Sequence, residues 1–224
     1  MPSPIIALQS ISRVFDSGPQ PIHALSGITL QIAGGEFVAL SGPSGSGKST
    51  LLNILGLADR PTSGSMLLSG KVVDFSAEAT LTALRRNSIG YIFQYFNLLP
   101  AMSALENVTM MALLSGMQHE GAYEKSRAQL LAVGLGARLH HRPGQLSGGE
   151  MQRVAICRAL VHAPALILAD EPTGNLDSTN GAAVLDLIRS QISADRAVVM
   201  ATHSAEAAGY ATRSLLMHDG KIVS

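Results

Sequence analysis

A glycine-rich loop that ends in lysine and serine carries the strongest chemical signal in the sequence. Residues 42–49 read Gly-Pro-Ser-Gly-Ser-Gly-Lys-Ser and match the G-x-x-x-x-G-K-[ST] pattern in full. The glycines let the backbone wrap so that successive N–H groups face anionic oxygens. The ammonium of Lys48 can then bind the β and γ phosphates of a nucleotide, and the Ser49 hydroxyl can bind Mg²⁺. The alternative is a turn that only joins a strand to a helix, and the complete motif argues against it.

A pair of acids follows an apolar segment farther along the chain. Residues 166–169, Leu-Ile-Leu-Ala, predict a short buried strand, and Asp170 and Glu171 come directly after it. An aspartate at such a strand end, beside a phosphate loop, can hold the water shell of Mg²⁺. Glu171 would then polarise a water molecule for in-line attack on the γ-phosphate. Two solvated acids at a strand end are the alternative, and the upstream phosphate loop favours the catalytic interpretation.

The segment Leu-Ser-Gly-Gly-Glu at residues 146–150 predicts a second anion-binding site. Ser147 and Glu150 have the spacing of a capping box that opens a helix. Gly148 and Gly149, at the first two helical positions, expose bare backbone N–H groups at the positive end of that helix. One chain has little use for two anion sites in one pocket. Two chains facing each other head to tail would use both sites around one nucleotide.

Short strands and helices must position these segments, and the hydrophobic pattern predicts them. The predicted strands lie within residues 5–12 and 28–40 and at 66–68, 71–73, 91–93, 166–169, 197–200 and 214–223. The predicted helices begin at residue 48 and lie at 77–86, through much of 101–162 and at 179–192. Strands that alternate with helices predict a mostly parallel sheet, and the long helical block predicts a separate lobe.

Composition restricts the classes of protein to which the chain can belong. The 224 residues include 16 basic and 16 acidic side chains, so the formal net charge is zero, and only 4% are aromatic. A general nucleic-acid binder needs a basic surface or aromatic platforms for base stacking. Charged residues make up 14% of the chain, against roughly 25% in an average domain. Such a chain often covers part of its surface with a partner, although a large core has the same composition.

Cysteine usage and hydropathy indicate where the chain works. Cys157 is the single cysteine, which allows no disulfide within the chain and fits a reducing compartment. The N-terminal residues lack the basic and apolar regions of a signal peptide. No clean run of about 20 apolar residues predicts a membrane span. We therefore expect a chain that does not cross a membrane and reaches one only through a partner.

Taken together, the motifs resemble those of the nucleotide-binding subunit of an ABC transporter, and the resemblance covers essentially the whole chain. The segment Leu146–Glu150 resembles the family signature. Gln94 matches the glutamine that binds metal and water between the two lobes, and His203 matches the histidine that senses the γ-phosphate. Residues 175–177, Asn-Leu-Asp, resemble the loop that crosses the dimer interface. Phe15 stands where the family more often has a tyrosine that stacks on adenine.

Each of these matches also has a purely structural interpretation. Gln94 and His203 can be ordinary polar residues at strand ends, with partners in the backbone. Asp177 can be an acid at a helix N-terminus, and Phe15 can be a core residue. The presence of all the motifs in one chain favours the functional interpretation.

The resemblance implies an α/β fold with a P-loop NTPase (RecA-like) core, whose sheet is parallel, an antiparallel β subdomain and an inserted α-helical subdomain. It implies one ABC ATPase domain over residues 1–224, with the core and β subdomain at 1–94 and 163–224 and the helical signature subdomain at 95–162. ATP and Mg²⁺ are the expected cofactors. The expected catalytic residues are Lys48, Glu171 and His203, and the expected metal ligands are Ser49, Gln94 and Asp170. The expected nucleotide-binding residues are Phe15, Gly42, Pro43, Ser44, Gly45, Ser46, Gly47, Lys48, Ser49, Thr50, Gln94, Ser147, Gly148, Gly149, Glu150 and Asp177.

The expected function is that of an ATP-binding and ATP-hydrolysing subunit of a bacterial ABC transporter that powers a separate permease. We expect a homodimer at the cytoplasmic face of the plasma membrane, bound peripherally to an integral membrane permease and not to nucleic acid. The apolar segment Tyr95–Met102 would line the groove for the permease. The alternative is a non-transport ABC ATPase that acts on ribosomes or DNA, although such chains typically carry long coiled coils or two cassettes. An inactive regulator is disfavoured because Glu171 and His203 are both present.

Several segments are similar to one branch of the family, the lipoprotein-releasing, macrolide-exporting and cell-division ATPases (LolD/MacB/FtsE type). They are Asn53–Gly64, Phe93–Pro100 and Ala169–Asp177. The permeases of this branch carry a large periplasmic domain, to which closure of the ATPase dimer is transmitted mechanically. Export, lipoprotein release and a cell-division role all fit the sequence. We expect neither a regulatory domain after the last strand nor a fused permease.

Overall fold

Two β-sheets and a block of helices form the structure, a computed structural model that describes residues 4–16 and 20–223. The strands are β1 (Ile6–Phe15), β2 (Ile22–Ile32), β3 (Phe37–Ser41), β4 (Ser63–Leu68), β5 (Lys71–Val72), β6 (Ile89–Ile92), β7 (Leu166–Asp170), β8 (Ala197–Ala201), β9 (Arg213–His218) and β10 (Lys221–Ile222). The helices are α1 (Lys48–Leu55), α2 (Glu78–Ser88), α3 (Ala104–Leu114), α4 (His119–Ala132), α5 (Gly148–Leu160), α6 (Ser178–Arg189) and α7 (Ala205–Ala208), with 3₁₀ turns at Gly136–Arg138 and Pro143–Gln145.

The larger sheet has six strands in the order β10-β9-β3-β8-β7-β6, and all neighbours except β10 and β9 run parallel. This confirms the predicted parallel sheet. Its central strands are buried on both faces. Val38 and Leu40 pack into one core cluster, whereas Phe37 and Ala39 pack into another with α5 and α6. The strand predicted within residues 28–40 is in fact the end of β2 and all but the last residue of β3, joined by a glycine turn.

The smaller sheet is antiparallel, with the order β2-β1-β4-β5, as the fold prediction requires. Its buried face carries Ile6, Leu8 and Leu30, which join Leu51 and Leu55 of α1 in the core cluster shared with the parallel sheet. Helix α1 begins at Lys48, where its prediction placed it, and its apolar stripe is fully buried.

Helices α3, α4 and α5 surround an apolar cluster of their own, which includes Val108, Leu130 and Val154. Helix α5 also reaches the core, because Ile156 and Leu160 pack against the parallel sheet. The helical block therefore lies between β6 and β7 in sequence and packs on the sheet through α5. The exact lobe boundaries at residues 94/95 and 162/163 stay a prediction.

The order of the parallel strands gathers the polar segments at one edge of the sheet. Leu40 of β3 and Asp170 of β7 both stand opposite Ala201 of β8, and Ile92 of β6 stands opposite Ala169. The segments that follow these strands therefore meet. Ligands bind at this carboxyl edge in open α/β sheets.

Candidate functional site

The glycines of the phosphate loop have torsion angles that favour glycine, and two of them also lie against neighbouring backbone. Gly42, Gly45 and Gly47 have φ values of 139°, 79° and 102°, a region that favours glycine. A Cβ at Gly42 would also lie 2.2 Å from the carbonyl oxygen of Met217, and one at Gly47 would lie 2.6 Å from that of Ala24. The loop is thus in close contact with the backbone of β9 and β2, which leaves no room for a side chain at Gly42 or Gly47. The motif alone does not reveal this constraint.

Lys48 folds back over the loop that it follows. Its Nζ donates to the carbonyl oxygens of Gly42 at 2.8 Å and Pro43 at 2.9 Å. An ammonium has three donors, so these two bonds orient the charge and leave one donor for a phosphate oxygen. Ser46 is buried beneath the loop, and the structure gives its hydroxyl no partner among the described residues.

Asp170 stands at the end of β7 beside the phosphate loop. Burial raises the pKa of its carboxyl, and the neighbouring Glu171 carboxylate raises it further. A hydrogen bond from the Ser49 hydroxyl and the charge of Lys48 act in the opposite direction and lower the pKa. The half-buried carboxyl and the serine hydroxyl are hard oxygen donors of the kind that Mg²⁺ prefers, so this pair fits the expected metal.

Glu171 is the most constrained acid of the site. Its φ of 45° lies in the left-handed region, which non-glycine residues adopt at a cost. Its carboxylate accepts hydrogen bonds from the backbone N–H of His203 at 2.9 Å and the Thr202 hydroxyl at 3.2 Å. His203 Nδ1 lies 2.7 Å from the same carboxylate. Thr202, which the sequence analysis did not single out, therefore helps to hold the predicted catalytic acid.

A cleft of about 410 Å³ brings most of the predicted site residues together. Those that line it are Ser44, Gly45, Gly47, Lys48, Ser49, Thr50, Gln94, Asp170, Glu171 and His203. Gly42, Pro43 and Ser46 belong to the same loop without lining the cleft. Ile22, His23 and Ala24 also line it, and the sequence analysis missed them because strand β2 carries no recognisable motif.

Phe15 does not line this cleft. Its strand partner across β1 and β2 is Ile22, which does. The guanidinium of Arg13 lies 4.2 Å from the centroid of the Phe15 ring. The ring is therefore close to the cleft wall and stacked on a cation, and its contact with adenine stays a prediction.

The predicted second anion site lies outside the cleft of the same chain. Ser147 caps α5, and its Oγ accepts from the Glu150 N–H at 3.3 Å, while Glu150 accepts from the Ser147 N–H at 2.8 Å. This confirms the predicted capping box. The Ser147 N–H and the Arg138 guanidinium, 3.0 Å from Glu150, keep the pKa of Glu150 below its usual range.

Gly149 has a structural role that its sequence context did not reveal. A Cβ there would lie 2.5 Å from Oδ1 of Asn180 on α6. Asn180 in turn donates from Nδ2 to the Asp177 carboxylate at 2.7 Å, and Asp177 caps α6 by accepting from the Asn180 N–H at 2.9 Å. Asp177 is thus a helix-capping acid, and its predicted role at a dimer interface stays a prediction. A side chain at residue 149 would therefore displace the Asn180 side chain from its present position.

The loop after Gln94 is held by helix α5. Phe96 and Asn97 both have positive φ, 60° and 49°, and the guanidinium of Arg158 donates to both of their carbonyl oxygens. Asn175 Nδ2 donates to the carbonyl oxygen of Gln94 at 2.8 Å. Two segments that the sequence separates widely therefore fix the backbone around Gln94.

An apolar groove of about 350 Å³ lies beside this loop. Its lining includes Tyr91, Phe93, Leu99, Met111 and Arg158. Tyr95, close by in sequence, has 73% of its surface exposed. Among the described residues, no helix combines the length and the apolar character that crossing a membrane requires.

The fold and the site define a P-loop nucleotide-binding protein, since a phosphate loop, an acidic strand end and a histidine meet at the carboxyl edge of a parallel sheet. A family model described as "ABC transporter" matches residues 25–174, about two thirds of the chain. The chain belongs to the ABC transporter family of ATP-binding proteins.

Two relatives show how far the similarity extends. An uncharacterised ABC transporter ATP-binding protein of Thermotoga maritima is 44% identical over 97% of this chain and 93% of its own length. The macrolide export ATP-binding/permease protein MacB of Hyphomonas neptunium is 46% identical over 100% of this chain and 35% of its own length. The chain thus spans about a third of the MacB proteins that it matches.

Solved structures agree on the fold. The ATP-binding cassette MJ0796, in a dimeric post-hydrolysis state bound to ADP and phosphate, has a TM-score of 0.90 and 38% identity, and the match covers 98% of this chain and 97% of that one. CbiO1 of Clostridium perfringens, part of an ABC transporter complex, has a TM-score of 0.87 and 27% identity over 99% of this chain and 88% of that one. These comparisons give no support to the alternative of a ribosome- or DNA-acting protein.

Proposed function

We propose that this chain is the ATP-binding and ATP-hydrolysing subunit of a bacterial ABC transporter and powers a permease. One observation supports the proposal most strongly. Five side chains line the same cleft, those of Lys48, Ser49, Asp170, Glu171 and His203. These residue types are the ones that phosphoryl transfer to water needs, because the reaction depends on positioning and on neutralising charge.

The phosphate loop would hold the triphosphate of ATP. Its N–H groups and the N-terminus of α1 supply positive potential, and the remaining donor of Lys48 would bind a β or γ oxygen. Ser49, Asp170 and Gln94 would hold Mg²⁺, whose charge would neutralise the phosphates. Asp170 binds a metal only as the carboxylate, so its neighbours Lys48 and Ser49 assist by lowering its pKa.

Glu171 would orient and polarise the attacking water. Its hydrogen bonds from the Thr202 hydroxyl and the backbone N–H of His203 hold the carboxylate in one orientation. The His203 side chain is 73% exposed while its Nδ1 is held by Glu171, so its Nε2 would contact the γ-phosphate. The contact between Glu171 and His203 would thus link the acid that orients the water to the side chain that binds the γ-phosphate.

A head-to-tail homodimer would complete each site. Residues 147–150 do not line the cleft of their own chain. The capping box uses the N–H groups of Ser147 and Glu150, so those of Gly148 and Gly149 are the ones offered at the helix start. In a dimer these groups would bind the γ-phosphate held by the partner. The dimeric state of the MJ0796 cassette supports this arrangement. The closed dimer would be favoured only with ATP, so hydrolysis would reopen it.

The apolar groove beside Gln94 would receive an element of the permease. Leu99 lines the groove and is exposed, and the exposed Tyr95 lies in the same loop. This loop directly follows the proposed metal ligand Gln94. Docking would place the chain at the cytoplasmic face of the membrane. The MacB relatives are named as ATP-binding and permease proteins, which supports a permease partner. A mechanotransmission permease with a large periplasmic domain is the partner we propose.

Hydrolysis of ATP by the purified chain tests the central proposal. Wild type should release phosphate from ATP with Mg²⁺. Glu171→Gln should bind ATP as wild type does but lose at least about a hundredfold in turnover, since a positioned base contributes 10²–10⁴-fold. Glu124→Gln, on the exposed face of α4, is the control and should retain full turnover. Undiminished turnover in Glu171→Gln would remove Glu171 from this role.

Copurification tests the partner. The tagged chain should bring with it, after mild detergent extraction from its native host, a permease of about four membrane spans with a large periplasmic domain. A permease with six spans would keep the ATPase and reject the mechanotransmission branch. Recovery of ribosomal or DNA-binding factors alone would contradict a transport role.

A further inference from the structure

Gln152, on helix α5, is a fully buried polar residue that none of the functions above uses. Its Nε2 donates to the carbonyl oxygen of Pro172 at 2.7 Å. Its Oε1 has no partner among the described residues. An amide oxygen left unpaired in a protein interior costs stability, and this cost offsets the gain from the bond to the buried Pro172 carbonyl. The net stability that the glutamine supplies is therefore small.

The carbonyl that Gln152 binds belongs to the residue directly after Glu171. Glu171 adopts the left-handed conformation, which persists only where the surroundings hold it. Two of its restraints are local to the sheet edge: its N–H donates to Ala201 O at 3.0 Å, and its own carbonyl accepts from the Gly174 N–H at 3.0 Å. Gln152 adds a restraint that comes from the helical block.

The same helix begins at Ser147 and Gly148, the segment proposed to bind the nucleotide of a partner chain. Residues 147 and 152 are five positions apart, less than one and a half helical turns, so they move as one rigid element. Any displacement of the helix start is therefore carried to the hydrogen bond between Gln152 and Pro172. Through that bond it reaches the turn that presents Glu171.

We infer that Gln152 is a positioning residue that ties the catalytic turn of Glu171 to helix α5, so that the acid is aligned for hydrolysis only when the helix is in place. The inference rests on the proposed function and adds a residue to it. A shift of about 1 Å in a catalytic group costs up to a hundredfold in rate, so a single bond at this point can control turnover.

The variant Gln152→Met tests the inference because it keeps the side-chain volume and removes both the donor and the unpaired oxygen. We expect its melting temperature to stay close to that of wild type, because removal of the unpaired oxygen offsets the loss of the donor to the Pro172 carbonyl. We expect its KM for ATP to stay within about twofold. We expect kcat to fall by about ten- to a hundredfold. Gln152→Leu is a second variant with the same expectation.

Gln129→Met is the matched control. Gln129 lies on α4 in the same helical block, and its Oε1 is also buried without a partner among the described residues. Its substitution should leave kcat and KM unchanged.

The outcomes separate this inference from the proposed function. Wild-type protein that does not hydrolyse ATP would overturn both. A wild-type kcat in the Gln152 variants would overturn this inference alone. A lower melting temperature, with kcat and KM changing together, would give Gln152 a merely structural role and also overturn it.

Discussion

Several side chains of the site use part of their hydrogen-bonding capacity on the protein itself. Lys48 donates twice to its own loop, and the Glu171 carboxylate accepts from Thr202 and from the backbone of His203. These bonds orient the groups before a nucleotide arrives, which lowers the cost of ordering them on binding. The groups that would act on ATP are thus held by short local contacts.

Replacement of Lys48 tests the phosphate site at this scale. Lys48→Ala should weaken ATP binding by about ten- to a hundredfold, because a hydrogen bond to a charged group contributes about 1.5–3 kcal/mol. Lys71→Ala, on the exposed strand β5, removes the same charge elsewhere and should leave binding unchanged. Titration calorimetry with ATP and Mg²⁺ measures both. Equal affinity in Lys48→Ala would refute the phosphate-loop assignment.

A second residue-scale prediction concerns the two glycines after Ser147. Gly149→Ala should lower the free energy of unfolding by about 1–3 kcal/mol, since its Cβ would lie 2.5 Å from Asn180 Oδ1. Gly148→Ala is the control, because its Cβ would lie 3.5 Å from its nearest neighbour, Leu176. Urea unfolding measures both variants. If the two lose equal stability, the contact with Asn180 does not explain Gly149.

At the scale of elements, helix α5 connects the parts of the site. Its start carries Ser147, its second turn carries Gln152, and its last turns carry Arg158, which holds the carbonyls of Phe96 and Asn97. One 13-residue helix thus contacts the turn after Glu171 and the loop after Gln94. Motion of this helix would alter both.

Two serine N-caps allow an effect on stability to be distinguished from an effect on ATP hydrolysis. Ser103 and Ser147 each open a helix with a complete capping box, at α3 and α5. Replacement of either by alanine should reduce the free energy of unfolding by about 1 kcal/mol. Only Ser147→Ala should also reduce the rate of ATP hydrolysis, because Ser147 would contact the nucleotide of the partner. Parallel loss of activity in Ser103→Ala would show that the effect is one of stability.

The sequence predicted most elements and most residues of the cleft, because both depend on local patterns. The helix predicted to begin at residue 48 is α1, and the strand predicted at 166–169 is β7, which extends one residue further to Asp170. Contacts between distant segments were not predictable. Three such contacts arise only from packing. They are the close approach of Met217 to Gly42, the position of Ile22 and His23 in the cleft wall, and the hydrogen bond from Gln152 to Pro172. A single sequence carries no signal for such pairs.

At the scale of the whole molecule, one chain contains a nucleotide cleft and, outside it, a helix end suited to an anion. The low content of charged residues, 14%, fits a chain that covers surface with a second copy and a permease. In two copies arranged head to tail, each nucleotide would lie between the cleft of one chain and the start of helix α5 of the other. Dimerisation would therefore depend on ATP.

The molar mass of Glu171→Gln in solution tests this dependence most directly. Light scattering after size-exclusion chromatography should give about twice 23.4 kDa with ATP and Mg²⁺, and a single chain with ADP. The further change Ser147→Arg should prevent the doubling while ATP still binds to its own cleft. If the Glu171→Gln chain without the second change binds ATP with Mg²⁺ and keeps the mass of a single chain, the two copies do not form the head-to-tail dimer.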